Sequence, residues 1–283
     1  MDRVTETRKN RKRKKNHLIW LLPVIAILLI IVAGAGYFLS ARVVKADGQT
    51  YVYRMGKKTY GLQHTMSGTY LLDTKTCEAQ TGFQNIKAGL AYFNPETGKM
   101  ETGSQEIGGY YYDFNKTTGA DNPVKAYEAV ANQLKGNNKY IEGAIANGMK
   151  LVGKSPYDYG GGRDAKSIAK NQFDCSSFAA YMYREAGLHL VVQEAASTTL
   201  LAETGTTESW NDKQRGDLLI TPDTDSEDEM HVAIYLGGGF ILHDSASTGG
   251  VNISRMNAVI DEKVLGNMTW NDLFEPGTVQ REV

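Results

Sequence analysis

From Asn16 to Ala41 the chain carries no Asp, Glu, Lys or Arg, and Leu18 to Leu39 within that stretch is a run of 22 mostly apolar residues. About 20 such residues in a helix cross a hydrocarbon core of about 30 Å. The run therefore predicts a membrane-spanning helix at 18–39. Pro23 lies near its start, where a missing N–H costs least, and Trp20 and Tyr37 stand near the two ends, as interfacial aromatics do. Residues 1–16 hold eight Lys or Arg against Asp2 and Glu6, a charge of +6, while the other 23 basic and 30 acidic residues give −7. By the positive-inside bias, residues 1–17 form a cytoplasmic tail and the body lies outside the cell.

A cleaved secretory signal is the alternative, because Ala33-Gly34-Ala35 and Val44-Lys45-Ala46 offer small residues to a signal peptidase. The apolar run exceeds the roughly 7–15 residues of a signal core, which favours an uncleaved anchor, and both readings export the body. The basic run is explained by the adjacent span without invoking nuclear localisation. An acidic body excludes a strongly basic nucleic-acid-binding domain, so no nucleic-acid partner is expected. With 41% hydrophobic residues and two cysteines among 283, neither a disordered chain nor a disulfide scaffold fits. One bridge between Cys77 and Cys175 would join two segments that read as different domains, so free thiols are expected.

Beyond the span the sequence repeats itself. Gly61-Leu62-Gln63, Gly82-Phe83-Gln84 and Gly103-Ser104-Gln105 recur every 21 residues. Between them lie Tyr- and Phe-rich runs (Tyr51 to Tyr53, Tyr70 to Leu72, Ala91 to Phe93, Tyr110 to Phe114), each followed by turn residues such as Asn94-Pro95-Glu96-Thr97-Gly98. Each unit reads as a β-hairpin, and because a lone hairpin buries too little apolar surface, residues 48–119 are expected to stack as a small solenoid. The block resembles the choline- and glucan-binding-type cell-wall-binding repeats of Gram-positive surface proteins, with Gly89 to Gly108 the best copy. It departs at the position after the second glycine, where Leu62, Phe83 and Ser104 stand instead of Trp. An aromatic cage holds a quaternary ammonium most strongly through Trp, so a plain spacer stands beside a ligand-binding role. Cys77 occupies the turn position that Gly98 and Gly119 fill in later copies.

A linker helix is expected within residues 120–137, over Val124 to Lys135, and a second helix over Tyr140 to Val152 in the domain 138–283. Phe173-Asp174-Cys175-Ser176-Ser177 then leads into Phe178, Ala179, Tyr181, Met182 and Ala186 at helix-face spacing, with Gly187 as the stop. Cys175 thus opens a helix, where unpaired N–H groups and the macrodipole favour the reactive thiolate. Downstream, Gly216 to Ile220, His231 to Leu236, Phe240 to His243 and Val251 to Ser254 read as strands, the middle pair joined by Gly237-Gly238-Gly239. If that hairpin sets Ala233 opposite His243, then His231 and His243 share a face as diagonal neighbours; the other register separates them. In the first register a nucleophile on a helix meets a base on a strand and an orienting group on the next, the arrangement of covalent acyl transfer. No His or Cys pair has close ligand spacing, so no metal or cofactor is expected. Asp223, Asp225, Glu227, Asp228 and Glu229 lack the glycine of a calcium loop and read as a solvated acidic loop.

Residues from about 148 to 260 are similar to the NlpC/P60 family of cell-wall cysteine peptidases. The resemblance rests on Pro156-Tyr157-Asp158-Tyr159-Gly160-Gly161, Phe173 to Ser177, Gly216-Asp217-Leu218, His231 to Gly237 and Ile241-Leu242-His243. It implies a papain-like α+β fold, with Cys175 as nucleophile, His231 as base and His243 as the third polar residue. It also implies that Tyr157, Asp174 and Ser176 line the site and help bind a peptide stem. Departures are Tyr159 where Trp is common, Ser177 where Gly is common, and about ten extra residues, Arg163 to Gln172. The expectation is an α+β catalytic domain behind a hairpin stalk and one transmembrane helix, acting on peptidoglycan at a D-glutamyl–diamino acid bond. An N-acetylmuramoyl-L-alanine amidase on the same scaffold and a non-catalytic wall-binding protein are the alternatives.

Overall fold

A computed structural model of the chain describes residues 41–223, 230–260 and 265–283. The expected cytoplasmic tail and membrane span at 1–39 and the acidic residues 225–229 lie outside the described residues. Among those described, no helix is long and apolar enough to cross a membrane. The chain divides into two compact units, Met1–Glu101 and Thr102–Val283.

In the first unit β1 (Arg42–Ala46), β2 (Gln49–Arg54) and β3 (Lys57–Lys58) form an antiparallel sheet. Two hairpins follow, β4 (Gly61–Thr65) with β5 (Gly68–Leu72), and β6 (Gly82–Ile86) with β7 (Gly89–Phe93). The repeated glycine is dictated by backbone geometry: Gly61 and Gly82 enter their hairpins at φ of 69° and 73°, where a Cβ is penalised. Each hairpin ends in a side-chain-held turn, Asp73 Oδ1 accepting from the N–H groups of Lys75 and Thr76, and Asn94 Oδ1 from those of Glu96 and Thr97. Main-chain bonds from Ala79 N to Thr50 O and from Met100 N to Thr69 O tie consecutive hairpins together. Val52, Tyr70 and Leu72 form the small core. Cys77 holds φ at 60° where its repeat counterpart is Gly98, and both Cys77 and Cys175 are free thiols.

The second unit opens with the third repeat hairpin, β8 (Gly103–Ile107) and β9 (Tyr110–Phe114). Then come α1 (Pro123–Leu134), capped by Asn122 and started by a proline at its first turn, and α2 (Lys139–Met149), capped by Asn138. The short α3 (Ala165–Ala169) and α4 (Cys175–Glu185) precede α5 (Thr198–Leu201). The remaining strands are β10 (Thr206–Glu208), β11 (Leu218–Ile220), β12 (Val232–Gly237), β13 (Phe240–Ser245), β14 (Gly250–Arg255) and β15 (Thr278–Arg281), with α6 (Trp270–Phe274) before the last. They make one antiparallel sheet in the order β10-β15-β11-β12-β13-β14.

Strand alternation gives this sheet two apolar faces. Val232, Ile234, Leu236, Leu242 and Ile253 pack with Phe178, Met182 and Tyr183 of α4. Ala233, Ile241 and Met256 pack on the other side with Trp270 and Phe274 of α6. The third hairpin is built into this unit rather than preceding it. Arg255 on β14, 2% exposed, bridges to Asp121, lies 4.0 Å over the Tyr112 ring, and Asn257 Nδ2 donates to Tyr112 Oη at 2.8 Å. The boundary between compact units thus falls at residue 102, upstream of the expected domain start at 138, because buried polar and aromatic contacts weld β9 to the sheet edge.

Candidate active site

Asp174 is the N-cap of α4, accepting from Ser177 N at 2.9 Å, while Ser177 Oγ accepts from Asp174 N at 3.0 Å. This reciprocal capping box gives a physical reason for Ser177 where the family often has glycine. It fixes Cys175 as the first residue of the helix, 7% exposed. Sγ lies 3.9 Å from Thr198 Oγ1 and takes main-chain hydrogen bonds at Val232 and Ser176. Burial nevertheless pushes the thiol up to about 11, and the Asp174 charge adds to the rise. The helix start alone therefore does not produce a resting thiolate; loss of water outweighs it.

The β12–β13 hairpin takes the first of the two registers. Ile234 stands opposite Leu242, a pairing that continues to Ala233 opposite His243, so His231 and His243 share a face. His231 Nε2 and His243 Nδ1 are 2.9 Å apart, and His243 Nε2 is 2.9 Å from Ser254 Oγ on β14. With Ser254 accepting, His243 Nε2–H donates to it, His243 Nδ1 accepts from His231 Nε2–H, and His231 Nδ1 is left as the basic nitrogen. Trp270 roofs the pair, its ring centroid 4.5 Å from that of His243 and 5.5 Å from that of His231, with Phe274 5.8 Å from His231. Burial in this aromatic setting draws His231 down to about 4 and His243 well below its usual value, the His231 charge adding to the latter.

Cys175 opens into a cleft of about 230 Å³ whose walls include Tyr157, Tyr159, Arg163, Asp174, Ser176, Thr198 and Met230. Tyr157, Asp174 and Ser176 thus meet at one site. Burial raises the Tyr157 hydroxyl above its ordinary range, so it stays a neutral donor. Ser176 Oγ donates to Asp174 Oδ1 at 3.1 Å and accepts from Arg163 Nη2 at 3.1 Å. Arg163 also pairs with Asp174 and donates through Nε and Nη2 to Ala196 O at 3.0 and 2.6 Å. The first residue of the extra stretch is therefore a strut of the cleft wall. Sequence reasoning missed Arg163 as a site residue, along with Ser254, Trp270 and Phe274. Each reaches the site from a separate element, and no local motif marks them.

Asp244, next to His243, points to the opposite face of β13. It is 0% exposed, and neither carboxylate oxygen has a hydrogen-bond partner among the described residues. Burial, reinforced by the Asp174 charge, pushes it up to about 8. No group of three or more His, Cys, Asp or Glu able to hold a metal occurs among the described residues.

A helix-opening cysteine packed on an antiparallel sheet that presents a buried histidine pair is the arrangement of a papain-like α+β domain. Residues 153–268 match the NlpC/P60 family, and the chain carries an NlpC/P60 domain there. The chain is 38% identical over 150 residues to the peptidoglycan DL-endopeptidase CwlO of Bacillus licheniformis, covering 53% of this chain and 30% of that protein. It is 29% identical over 143 residues to the probable endopeptidase YafL of Escherichia coli, covering 47% of this chain and 55% of that one. It therefore spans under a third of the first relative and about half of the second. Among solved structures, choline binding protein F of Streptococcus pneumoniae aligns at 26% identity over 28% of this chain and 27% of that chain, with a TM-score of 0.26.

Proposed function

We propose that the chain is a membrane-anchored, outward-facing peptidoglycan hydrolase that cuts an amide of the stem peptide, between D-glutamate and the following diamino acid. The observation that carries this reading is the 2.9 Å bond from His231 Nε2 to His243 Nδ1, on a strand whose first main-chain N–H, at Val232, reaches the Cys175 sulfur. Similarity to CwlO, a DL-endopeptidase by name, supports the choice of bond.

Cys175 and His231 rest uncharged, so attack is coupled to proton transfer. His231 Nδ1 takes the thiol proton as Sγ adds to the carbonyl, and main-chain N–H groups at the start of α4 stabilise the oxyanion. The C–N bond breaks, His231 protonates the leaving amine, and a thioester remains. Water, deprotonated by His231, releases the acyl product. His243 and Ser254 hold the His231 tautomer throughout. The hairpins upstream of Thr102 act as a stalk that holds the domain in the wall.

The test is to incubate the full chain, purified in detergent, and its Cys175→Ala variant with peptidoglycan and weigh the products. The endopeptidase reading expects new D-glutamyl carboxyl ends from the wild type alone. Release of whole stem peptides would make it an amidase, and no release from either protein would leave a non-catalytic wall-binding role.

A further inference from the structure

The hydroxyl of Thr198 sits beside the reacting atom. Its oxygen lies 3.9 Å from Cys175 Sγ, and that sulfur is its only hydrogen-bond partner among the described residues. The side chain is buried and lines the cleft. Its place is fixed from two directions. Ser197 Oγ accepts from Leu200 N at 3.1 Å, which makes Thr198 the first residue of α5. Ala196 O, two residues upstream, accepts from Arg163, which also pairs with Asp174 and donates to Ser176 Oγ. Asp174 and Ser176 flank Cys175 in the chain, so one guanidinium ties the start of the nucleophile's helix to the loop that delivers the hydroxyl.

A hydroxyl in that position suits both protonation states of the sulfur. It has one O–H and two lone pairs and rotates about its C–O bond, so it accepts from a thiol and donates to a thiolate without displacing its oxygen. A hydrogen bond to an ionised partner is roughly twice as strong as one between neutral groups, so the contact strengthens as charge gathers on sulfur. Burial opposes that charge, and the main-chain hydrogen bonds at Val232 and Ser176 offset only part of the cost. Thr198 adds a side-chain donor to those two.

We propose that Thr198 is a further catalytic residue, whose hydroxyl accepts from the resting thiol and turns to donate to the sulfur as His231 takes the proton. The proton leaves Sγ for His231 Nδ1, the electron pair left on Sγ forms the bond to the substrate carbonyl carbon, and Thr198 keeps its own proton throughout. The assignment rests on Cys175 as the nucleophile of the proposed hydrolysis.

The test compares the full chain with Thr198→Val, which keeps the shape and loses the hydroxyl, and Thr198→Ser, which keeps the hydroxyl. All three carry Cys77→Gly, the residue of the later repeat copies, so that Cys175 is the one thiol left. Iodoacetamide reads the sulfur directly, through the alkylation rate at pH 8, and a muropeptide reads turnover. Thr198→Val is expected to slow alkylation and lower kcat by about tenfold each with KM unchanged, the size of one hydrogen bond to a charged group. Thr198→Ser is expected to stay within about threefold of the parent in both. Alkylation of Thr198→Val at the parental rate overturns the bond to sulfur, and an undiminished kcat overturns its part in turnover. A serine variant that falls as far as the valine variant overturns the proposal in favour of packing by the methyl group. If the parent cuts no muropeptide, the hydrolase reading and the catalytic role of Thr198 fail together, while alkylation still decides whether the hydroxyl bonds the sulfur.

Discussion

Burial decides the resting charge of individual residues in this domain. His231 is depressed to about 4, so its basic form survives well below the ordinary histidine value. The acid limb of kcat/KM on a muropeptide is therefore expected near pH 4–5 rather than 6.5, and a pH–rate profile on the full chain would reveal it. Asp244 moves the other way. Its folded pKa of about 8 lies above the ordinary carboxylate value, so the stability it gives is fully present below about pH 4 and is lost as pH rises through 8. Wild type should lose thermal stability between about pH 4 and 8, and Asp244→Asn, which cannot ionise, should flatten that decline in melting temperatures across the range. The residues that the sequence made legible are those whose partners lie on the neighbouring strand or in the same turn. Cys175 follows from its place at a helix start, and His231 with His243 from alternation along a hairpin. Arg163, Ser254 and Trp270 were not legible, because each meets the site only after distant segments pack. Nor was the neutral state of Cys175, since a helix position fixes the dipole but not the water around the sulfur.

Among the elements, the third hairpin depends on the catalytic unit. Asp121 and Arg255 form a buried pair at the junction of β9, α1 and β14, and burial raises the Asp121 carboxyl even with the guanidinium beside it. Removing one partner leaves the other charge stranded, so Arg255→Met or Asp121→Ala should cost about 3–5 kcal/mol in urea unfolding of the full chain. The double replacement should cost less than the sum of the two, because no unpaired charge remains. The 21-residue period exposed the hairpins that open at Gly61, Gly82 and Gly103, and the helical spacing exposed α1, α2 and α4 to within a few residues. Among the elements that escaped, β15 completes the sheet between β10 and β11 from the far C-terminus, and α6 supplies the aromatic roof of the histidines. Neither has a periodic signature in so short a segment; both are defined by what they pack against.

At the scale of the whole chain, the net charge of −1 is the sum of a basic tail and an acidic body. The tail, the span and the exported orientation come from the sequence alone, and the expected result is specific. The full chain should sediment with membranes and resist extraction by salt, and protease added outside intact protoplasts should digest the body but spare the N-terminal tail. Electrostatic attraction to an anionic wall would not hold a body of charge −7, so retention should persist when ionic strength is raised. The position of the compact boundary has a consequence for how such a protein gains and loses repeats. With the third hairpin committed to the catalytic unit, whole 21-residue copies inserted or deleted upstream of Thr102 would alter the first compact unit alone and leave the catalytic unit intact. The same edit made between Thr102 and Asp121 would cut into the enzyme itself.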